Sequence, residues 1–250
     1  MNNHLFINGQ EIGVIPLTNL NAGYTATITF GLIFNQPGNY SMLIHVNKNS
    51  TITESNYNNN TMTNTARVRL DVTDEFTSIM RQNAAYMAYY ASLDIDMGTY
   101  PLLTGEEFAS KVRTGGDWDY KLEYGYSNEY IYDGRVVTGE DMGNFHYGFV
   151  GRGATFGEEL LLIAAGAYQI YGGPRYVGWW ESYFDDPNDQ AMIIYGISMW
   201  DNNSWPSGTI NEFGAFSDND AIYTLTEYEK RCIEREISED AANLEKLKDK

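Results

Sequence analysis

The period of the hydrophobic pattern changes once along this chain, near residue 71. Before that point apolar residues alternate with polar ones, as in Ala26, Ile28 and Phe30, which indicates strands that bury one face. After it apolar residues recur every three or four positions, as on one helical face: Phe76, Ile79, Met80, Ala84, Met87 and Tyr90. We therefore predict an all-β domain over residues 1–70 and an α+β, mainly helical domain over residues 71–223. A charged helix is expected over residues 224–250, where opposite charges lie four positions apart.

Five strand segments are predicted in the first domain, at residues 5–7, 11–17, 25–34, 40–46 and 61–70. Turn signals such as Asn8-Gly9 separate them, and this spacing is typical of an immunoglobulin-like sandwich. Several runs are similar to the CARDB family of cell-adhesion-related bacterial domains: Phe6 to Gln10, Leu20 to Gly23, Pro37 to Tyr40 and Glu54 to Thr61. The resemblance implies a partial Ig-like sandwich. About the last two-thirds of such a domain is expected here, so that the chain begins inside it.

Capping and turn signals predict the elements of the second domain. Thr104 to Glu107 and Thr155 to Glu158 each have the spacing of a capping box, which predicts two helix starts. Asp186 before Pro187 predicts another helix, because aspartate is a good N-cap and proline fits the first turn. Asp133-Gly134 predicts a tight hairpin over residues 130–137. A last helix is predicted from about residue 224.

The formal net charge is −18, and residues 71–223 carry nearly all of it. An acidic domain repels phosphate backbones, so a nucleic-acid partner is disfavoured. The single cysteine, Cys232, excludes an internal disulfide, and the three dispersed histidines do not have zinc-ligand spacing. We therefore expect no metal and no cofactor. The sequence contains no apolar run long enough for a membrane span and no visible signal peptide.

Two runs in the second domain mix aromatic, acidic and glycine residues: Gly116 to Lys121, and Gly143 to Gly148. With Asp185 to Gln190 they resemble the polymorphic toxin family called toxin 44, over residues of about 104–200. The resemblance implies a toxin or lytic module of a longer, secreted or cell-surface bacterial protein. It also implies a role in interbacterial competition and an immunity protein as a partner. The resemblance assigns no catalytic residues, so the candidate site residues named below are chosen from side-chain chemistry alone.

The first run supplies candidates that share one face if the run is extended. Asp119 and Lys121 are catalytic candidates, because a nearby ammonium keeps a carboxylate ionised. Asp117 is a substrate-binding candidate on the same face. The alternative is a surface ion pair that only fixes the loop, and the residues favour neither interpretation.

Asp141, Asn144 and His146 form a second group of catalytic candidates. His146 has the chemistry of a general base at neutral pH, and Asn144 can donate to an oxyanion. The alternative, which is favoured for His146, is a histidine bonded to a backbone carbonyl next to a turn. Glu158 is a further catalytic candidate, although closing the capping box on Thr155 is its simpler role.

Aromatic side chains with polar tips suit the faces of sugars, and this region is rich in them. Four are chosen as substrate-binding candidates: Trp118, Tyr120, Tyr147 and Trp179.

The favoured function is a hydrolase that acts on cell-wall glycan, peptidoglycan, through one protonated and one ionised carboxylate. These carboxylates would come from Asp119, Asp141 and Glu158. One alternative is a metal-independent ribonuclease toxin that uses His146, Lys121 and an acid. Another is a surface adhesion or binding protein without enzymatic activity.

Overall fold

The computed structural model of the chain describes residues 1–18, 20–21, 23–172, 186–206 and 224–248, the side chains of 168–172 and 247–248 excepted. The chain forms two compact units, Met1–Leu70 and Asp71–Lys250. An antiparallel sheet is followed by a mainly helical part with a small sheet and a C-terminal helix, which confirms the predicted fold class. In the described part, no helix is long and apolar enough to cross a membrane.

The first unit contains a four-stranded antiparallel sheet with strand order β2-β1-β3-β4. The strands are β1 (Asn2–Ile7), β2 (Gln10–Pro16), β3 (Gly38–Val46) and β4 (Thr61–Val68). The β1–β2 turn is the predicted Asn8-Gly9, and both residues have positive φ, 49° and 81°. Glycine and asparagine adopt this conformation most readily, so the turn signal has a direct physical cause.

The predicted strand over residues 25–34 is wrong, because this segment is not part of the sheet. Two of its rings nevertheless pack against strands: Phe30 lies close to Gly13, and Phe34 lies 4.4 Å from the ring of Tyr40. An alternating pattern reports burial on one side. A segment that lies on a sheet without pairing to it can produce the same pattern.

The second unit places seven described helices around a three-stranded sheet of order β5-β6-β7. Its strands are β5 (Leu70–Asp71), β6 (Glu129–Tyr132) and β7 (Arg135–Thr138). The helices are α1 (Thr73–Met97), α2 (Leu102–Val112), α3 (Tyr120–Tyr124), α4 (Gly139–Gly153), α5 (Glu158–Gly172), α6 (Pro187–Asp201) and α7 (Glu227–Lys248). The predicted hairpin is confirmed: β6 and β7 pair around Asp133 and Gly134, which have φ of 51° and 71°.

Helix α4 lies at the centre of the second unit, packed on α1, α3 and α6. Its contact with α6 is a close backbone contact. A Cβ atom added at Gly148 would lie 2.2 Å from the carbonyl oxygen of Ile193, and one at Gly196 would lie 1.9 Å from that of Phe145. Only glycine allows the two helices to approach this closely. Buried Phe145 and Phe149 then fill the core on the rest of α4.

Helix α4 begins with a capping box, formed by Thr138 and Asp141, that was not predicted from the sequence. The Thr138 hydroxyl accepts a hydrogen bond from the Asp141 amide at 3.1 Å, and the Asp141 carboxylate accepts one from the Thr138 amide at 2.8 Å. The predicted cap at Asp186 is confirmed, since its carboxylate accepts from the Asn188 amide at 2.8 Å. Helices α4 and α6 therefore both begin with a backbone amide of the first turn whose hydrogen bond is satisfied by a capping side chain.

The two predicted capping boxes are wrong. Thr104 lies inside α2 and is buried, and its hydroxyl donates to the buried carboxylate of Asp94 at 2.7 Å. Thr155 precedes α5 by three residues, and its hydroxyl donates to the Tyr100 hydroxyl at 2.9 Å. The spacing rule considers local partners only, whereas both threonines bind residues that are distant in sequence.

Candidate functional site

The run Gly116 to Lys121 forms a turn and the start of α3, so it is not extended and the condition for a shared face is not met. Asp119 caps α3: its carboxylate accepts from the Leu122 amide at 3.3 Å and from the Gly115 amide at 2.8 Å. Lys121 lies inside α3. The exposed Asp117 forms an ion pair with Lys111 at 3.0 Å. Asp117, Asp119 and Lys121 therefore do not share the face of a strand.

The run Gly143 to Gly148 lies inside α4, so its side chains follow helical geometry. Asn144 and His146 are two positions apart and point in directions about 200° apart around the axis, so the face they would share on a strand does not exist. His146 is buried, and burial lowers its pKa to about 3. Its Nε2 lies 3.0 Å from the amide nitrogen of Asn83 and accepts that hydrogen bond. His146 is thus a neutral, bonded core residue, whose partner is a side chain rather than a backbone carbonyl.

The two runs meet in the core around His146. The rings of Trp118 and Tyr120 lie 5.7 Å and 4.6 Å from the imidazole. The amide of Asn83 bridges this group, since it donates to the Tyr120 hydroxyl at 2.9 Å as well as to His146. Burial raises the pKa of Tyr120 to about 12. Of the three motif side chains Trp118, Tyr120 and His146, only Trp118 is half-exposed.

Asp189, which belongs to the matched segment before and within α6, contacts the run Gly143 to Gly148 through the buried amide of Asn144. Asn144 donates to the Asp189 carboxylate at 2.7 Å, which ties α4 to the first turn of α6. The Tyr147 hydroxyl donates to the Leu161 carbonyl at 3.0 Å, so its polar tip is used between helices. Because Asn144 is 5% exposed, its amide is not free to bind a ligand in this structure.

The remaining candidates do not converge on one cleft. Asp141 is engaged in the cap of α4, and Asp119 in that of α3. Glu158 is exposed at the first residue of α5 and does not close a box on Thr155. Trp179 lies outside the described residues.

An open cleft with a volume of about 930 Å³ lies where α1 begins, beside the β6–β7 turn and the segment after α6. Its lining combines four carboxylates with one indole ring: Asp71, Asp74, Glu75, Asp133 and Trp205. None of these residues was a sequence candidate. Asp71, Asp74 and Glu75 lie before or within the first turn of α1, where acids are common for helix stability alone, and Asp133 belongs to the hairpin turn, so the sequence offered no reason to select them.

Thr73 positions two sides of this cleft. Its hydroxyl donates to the Asp71 carboxylate at 2.6 Å and accepts from the Asp133 amide at 2.9 Å. Its backbone amide also donates to Asp71 at 3.0 Å. Hydrogen bonds from the Thr73 hydroxyl and then from its amide lower the pKa of Asp71, so that this carboxylate is ionised at neutral pH.

Trp205 is held in the cleft wall by two neighbours. Its ring meets the buried Phe149 of α4 edge-on, with centroids 5.8 Å apart, and Arg81 lies 5.6 Å from the ring centroid. An anchored indole gives a rigid, flat surface for stacking. The cleft can therefore supply a stacking face, a fixed carboxylate and further acids nearby. Across the described ranges, no group of three or more histidine, cysteine, aspartate or glutamate residues has metal-binding geometry.

Two regions of the chain match models of known protein families. Residues 107–202 match the family model described as Bacterial toxin 44, and residues 1–64 match the CARDB model. Both resemblances predicted from the sequence are thereby confirmed. Searches of curated proteins and of solved structures returned no match. The toxin match supports a bacterial polymorphic toxin, and the two domains together fit a surface or secreted protein.

Proposed function

We propose that the second unit is a toxin hydrolase that cleaves cell-wall glycan in the cleft at the start of α1. The observation that carries this proposal is the combination of Trp205 with four carboxylates in one open cleft. Stacking on an indole is a common way to hold a sugar ring, and paired carboxylates are the usual groups that hydrolyse a glycosidic bond. The volume of about 930 Å³ lies within the range of ligand sites.

The chemistry requires one ionised and one protonated carboxyl group. Asp71 fits the ionised role, because the hydrogen bonds from Thr73 stabilise its charge. The acid would be Asp74, Glu75 or Asp133, which line the same cleft. These two roles were assigned from the sequence to Asp119, Asp141 or Glu158. The carboxylates of Asp119 and Asp141 are instead used to cap α3 and α4.

The charge of the domain supports a glycan over a nucleic acid as the substrate. Residues 71–223 carry most of the net charge of −18, and the cleft itself is acidic. A polyphosphate would be repelled there, whereas an uncharged sugar face would not be. An immunity protein that blocks the cleft is the partner we expect for such a toxin.

The test is the release of reducing ends from purified peptidoglycan by the full-length chain. Asp71→Asn and Asp133→Asn should each lower the rate by about 100-fold or more if they remove a catalytic group. Trp205→Phe should mainly raise KM, because it keeps a ring but reduces the stacking area. Glu106→Gln is the matched control: it removes an exposed acid on α2, outside the cleft, and should leave the rate unchanged.

Three outcomes would contradict the proposal. Full activity in every cleft variant would place the chemistry elsewhere, and loss of activity only in Glu158→Gln would move it to the start of α5. Absence of reducing ends, with fragments released instead from an RNA substrate, would favour the ribonuclease alternative.

A further inference from the structure

Helix α7 lies beyond the segment that matches the toxin family, yet it packs against α1 and α2. Two of its apolar side chains, Ile233 and Ile237, are fully buried against Tyr90 and Leu103, and the partly buried Leu225, Ala241 and Leu244 pack around them. Burial of two isoleucine side chains contributes only about 3–6 kcal/mol. Polar contacts surround this apolar cluster, so the docking of α7 also depends on how well its polar groups are matched.

Two of the polar contacts between α1 and α7 are well matched. The Tyr89 hydroxyl donates to Glu234 at 2.7 Å, and the Tyr90 hydroxyl donates to Asp240 at 2.7 Å. In each pair one hydroxyl hydrogen meets one carboxylate. Such a charge-assisted bond stabilises the contact without leaving a group unsatisfied.

The contact at Tyr86 is different, because two carboxylates share one hydroxyl. Glu107 of α2 lies 2.7 Å from the Tyr86 oxygen, and Glu236 of α7 lies 2.8 Å from it. Burial and the two nearby carboxylates raise the pKa of Tyr86, so the phenol keeps its one hydrogen. One hydrogen cannot satisfy both acceptors, and two carboxylates this close repel each other.

Lys111 does not resolve this conflict. Its Nζ lies 3.0 Å from Asp117 and 3.3 Å from Glu107, and only 3.9 Å from Glu236. Three carboxylates therefore surround one ammonium group. Glu236, whose side chain is 41% exposed, has the longest of these three ion pairs, which leaves it as the carboxylate least compensated by protein groups.

We propose that α7 is a strap poised to open, because its Glu236 is held against Glu107 with one hydrogen too few. When α7 lifts, it uncovers Tyr86, Glu107 and Lys111, the polar surface beside Trp118. The opening involves α7 alone, while the close backbone contact of α4 and α6 stays intact. A contact with a built-in charge conflict opens more easily than the hydrophobic core beside it.

The variant Glu236→Gln tests the proposal, because the new side-chain amide supplies the missing donor and the substitution removes the surplus charge. Hydrogen exchange of the α7 amides around Ile233 and Ile237, followed by mass spectrometry on the full-length chain, measures the opening. Glu236→Gln should slow this exchange by about fivefold, the equivalent of one additional hydrogen bond. Wild-type α7 should exchange faster than the α4 amides of Phe145 and Phe149.

Two control variants on the same helix make the same charge change. Glu239 is exposed, so Glu239→Gln should leave the exchange rate unchanged. Glu234 has a matched partner, so Glu234→Gln should not slow exchange. The proposal is overturned if Glu236→Gln speeds exchange, or if all three variants slow it equally, which would indicate general relief of negative charge. Exchange of α7 as slow as that of α4 would also overturn it.

Discussion

Replacing Gly196 with alanine is expected to destabilise the second unit, because α4 and α6 meet there backbone to backbone. The added Cβ would lie 1.9 Å from the Phe145 carbonyl oxygen and 2.9 Å from the Phe149 amide nitrogen. To reach ordinary van der Waals distance the helices must separate by roughly 1.5 Å. Backbone atoms of a helix cannot move aside one at a time, so the strain is shared by the whole contact.

The size of the effect follows from two opposing contributions. Overpacking of a core contact costs about 1–3 kcal/mol or more, and separation of the helices also loosens the packing of Phe145 and Phe149. The higher helix propensity of alanine stabilises the folded state by up to about 1 kcal/mol relative to glycine, which offsets part of this cost. The expected net loss is about 2 kcal/mol, which would lower the urea midpoint by about 1 M at a typical m value.

Tryptophan fluorescence is a suitable probe, because all five tryptophans lie in the second unit. The matched control is Gly105→Ala on α2, where an added Cβ meets nothing within 4 Å. That variant should gain about 0.5–1 kcal/mol from helix propensity alone. If Gly196→Ala is as stable as the wild type, or gains stability as Gly105→Ala does, the proposed backbone contact is refuted.

Three further predictions concern single residues of the second unit. Burial lowers the pKa of His146 to about 3, so the unfolded state takes up its proton first as the pH falls below 6.5. Stability should then fall by about 1.4 kcal/mol per pH unit down to about pH 3, and His146→Asn should remove that part of the slope in urea midpoints taken across this range. Thr138→Ala removes the acceptor for the Asp141 amide and should cost about 1 kcal/mol in the same assay. Burial and the bond to Asp240 raise the pKa of Tyr90, so stability should fall as the pH rises above about 10, and Tyr90→Phe should reduce that fall in alkaline unfolding titrations.

The sequence predicted those elements whose signals are local. The Asn8-Gly9 and Asp133-Gly134 turns were correct, because positive φ depends on the residue itself. The cap at Asp186 was correct because its carboxylate binds an amide only two residues away, which is also a local signal. Thr104 and Thr155 failed because their hydroxyls bind partners about 10 and 55 residues away, Asp94 and Tyr100.

The candidate site was harder to predict, because motif composition does not distinguish a cleft from a core. The fold brings Trp118, Tyr120 and His146 together, but their contacts are core packing. The cleft residues Asp71 and Trp205 lie outside the motifs and are 134 positions apart. Only the fold of α1 and the segment after α6 brings them to one place.

The motif glycines explain how a specific sequence signature can encode packing rather than chemistry. A Cβ at Gly116 would lie 2.4 Å from the Lys111 carbonyl oxygen, and one at Gly143 would lie 2.6 Å from the Cγ of Lys121. Gly148 makes the equivalent approach to α6, so each motif glycine marks a close contact that fixes α3, α4 or α6. Helix α4, placed in this way, presents Phe149 to the ring of Trp205. If the cleft is the site that we propose, the motifs act on it at a distance, by holding the helix that supports its aromatic wall.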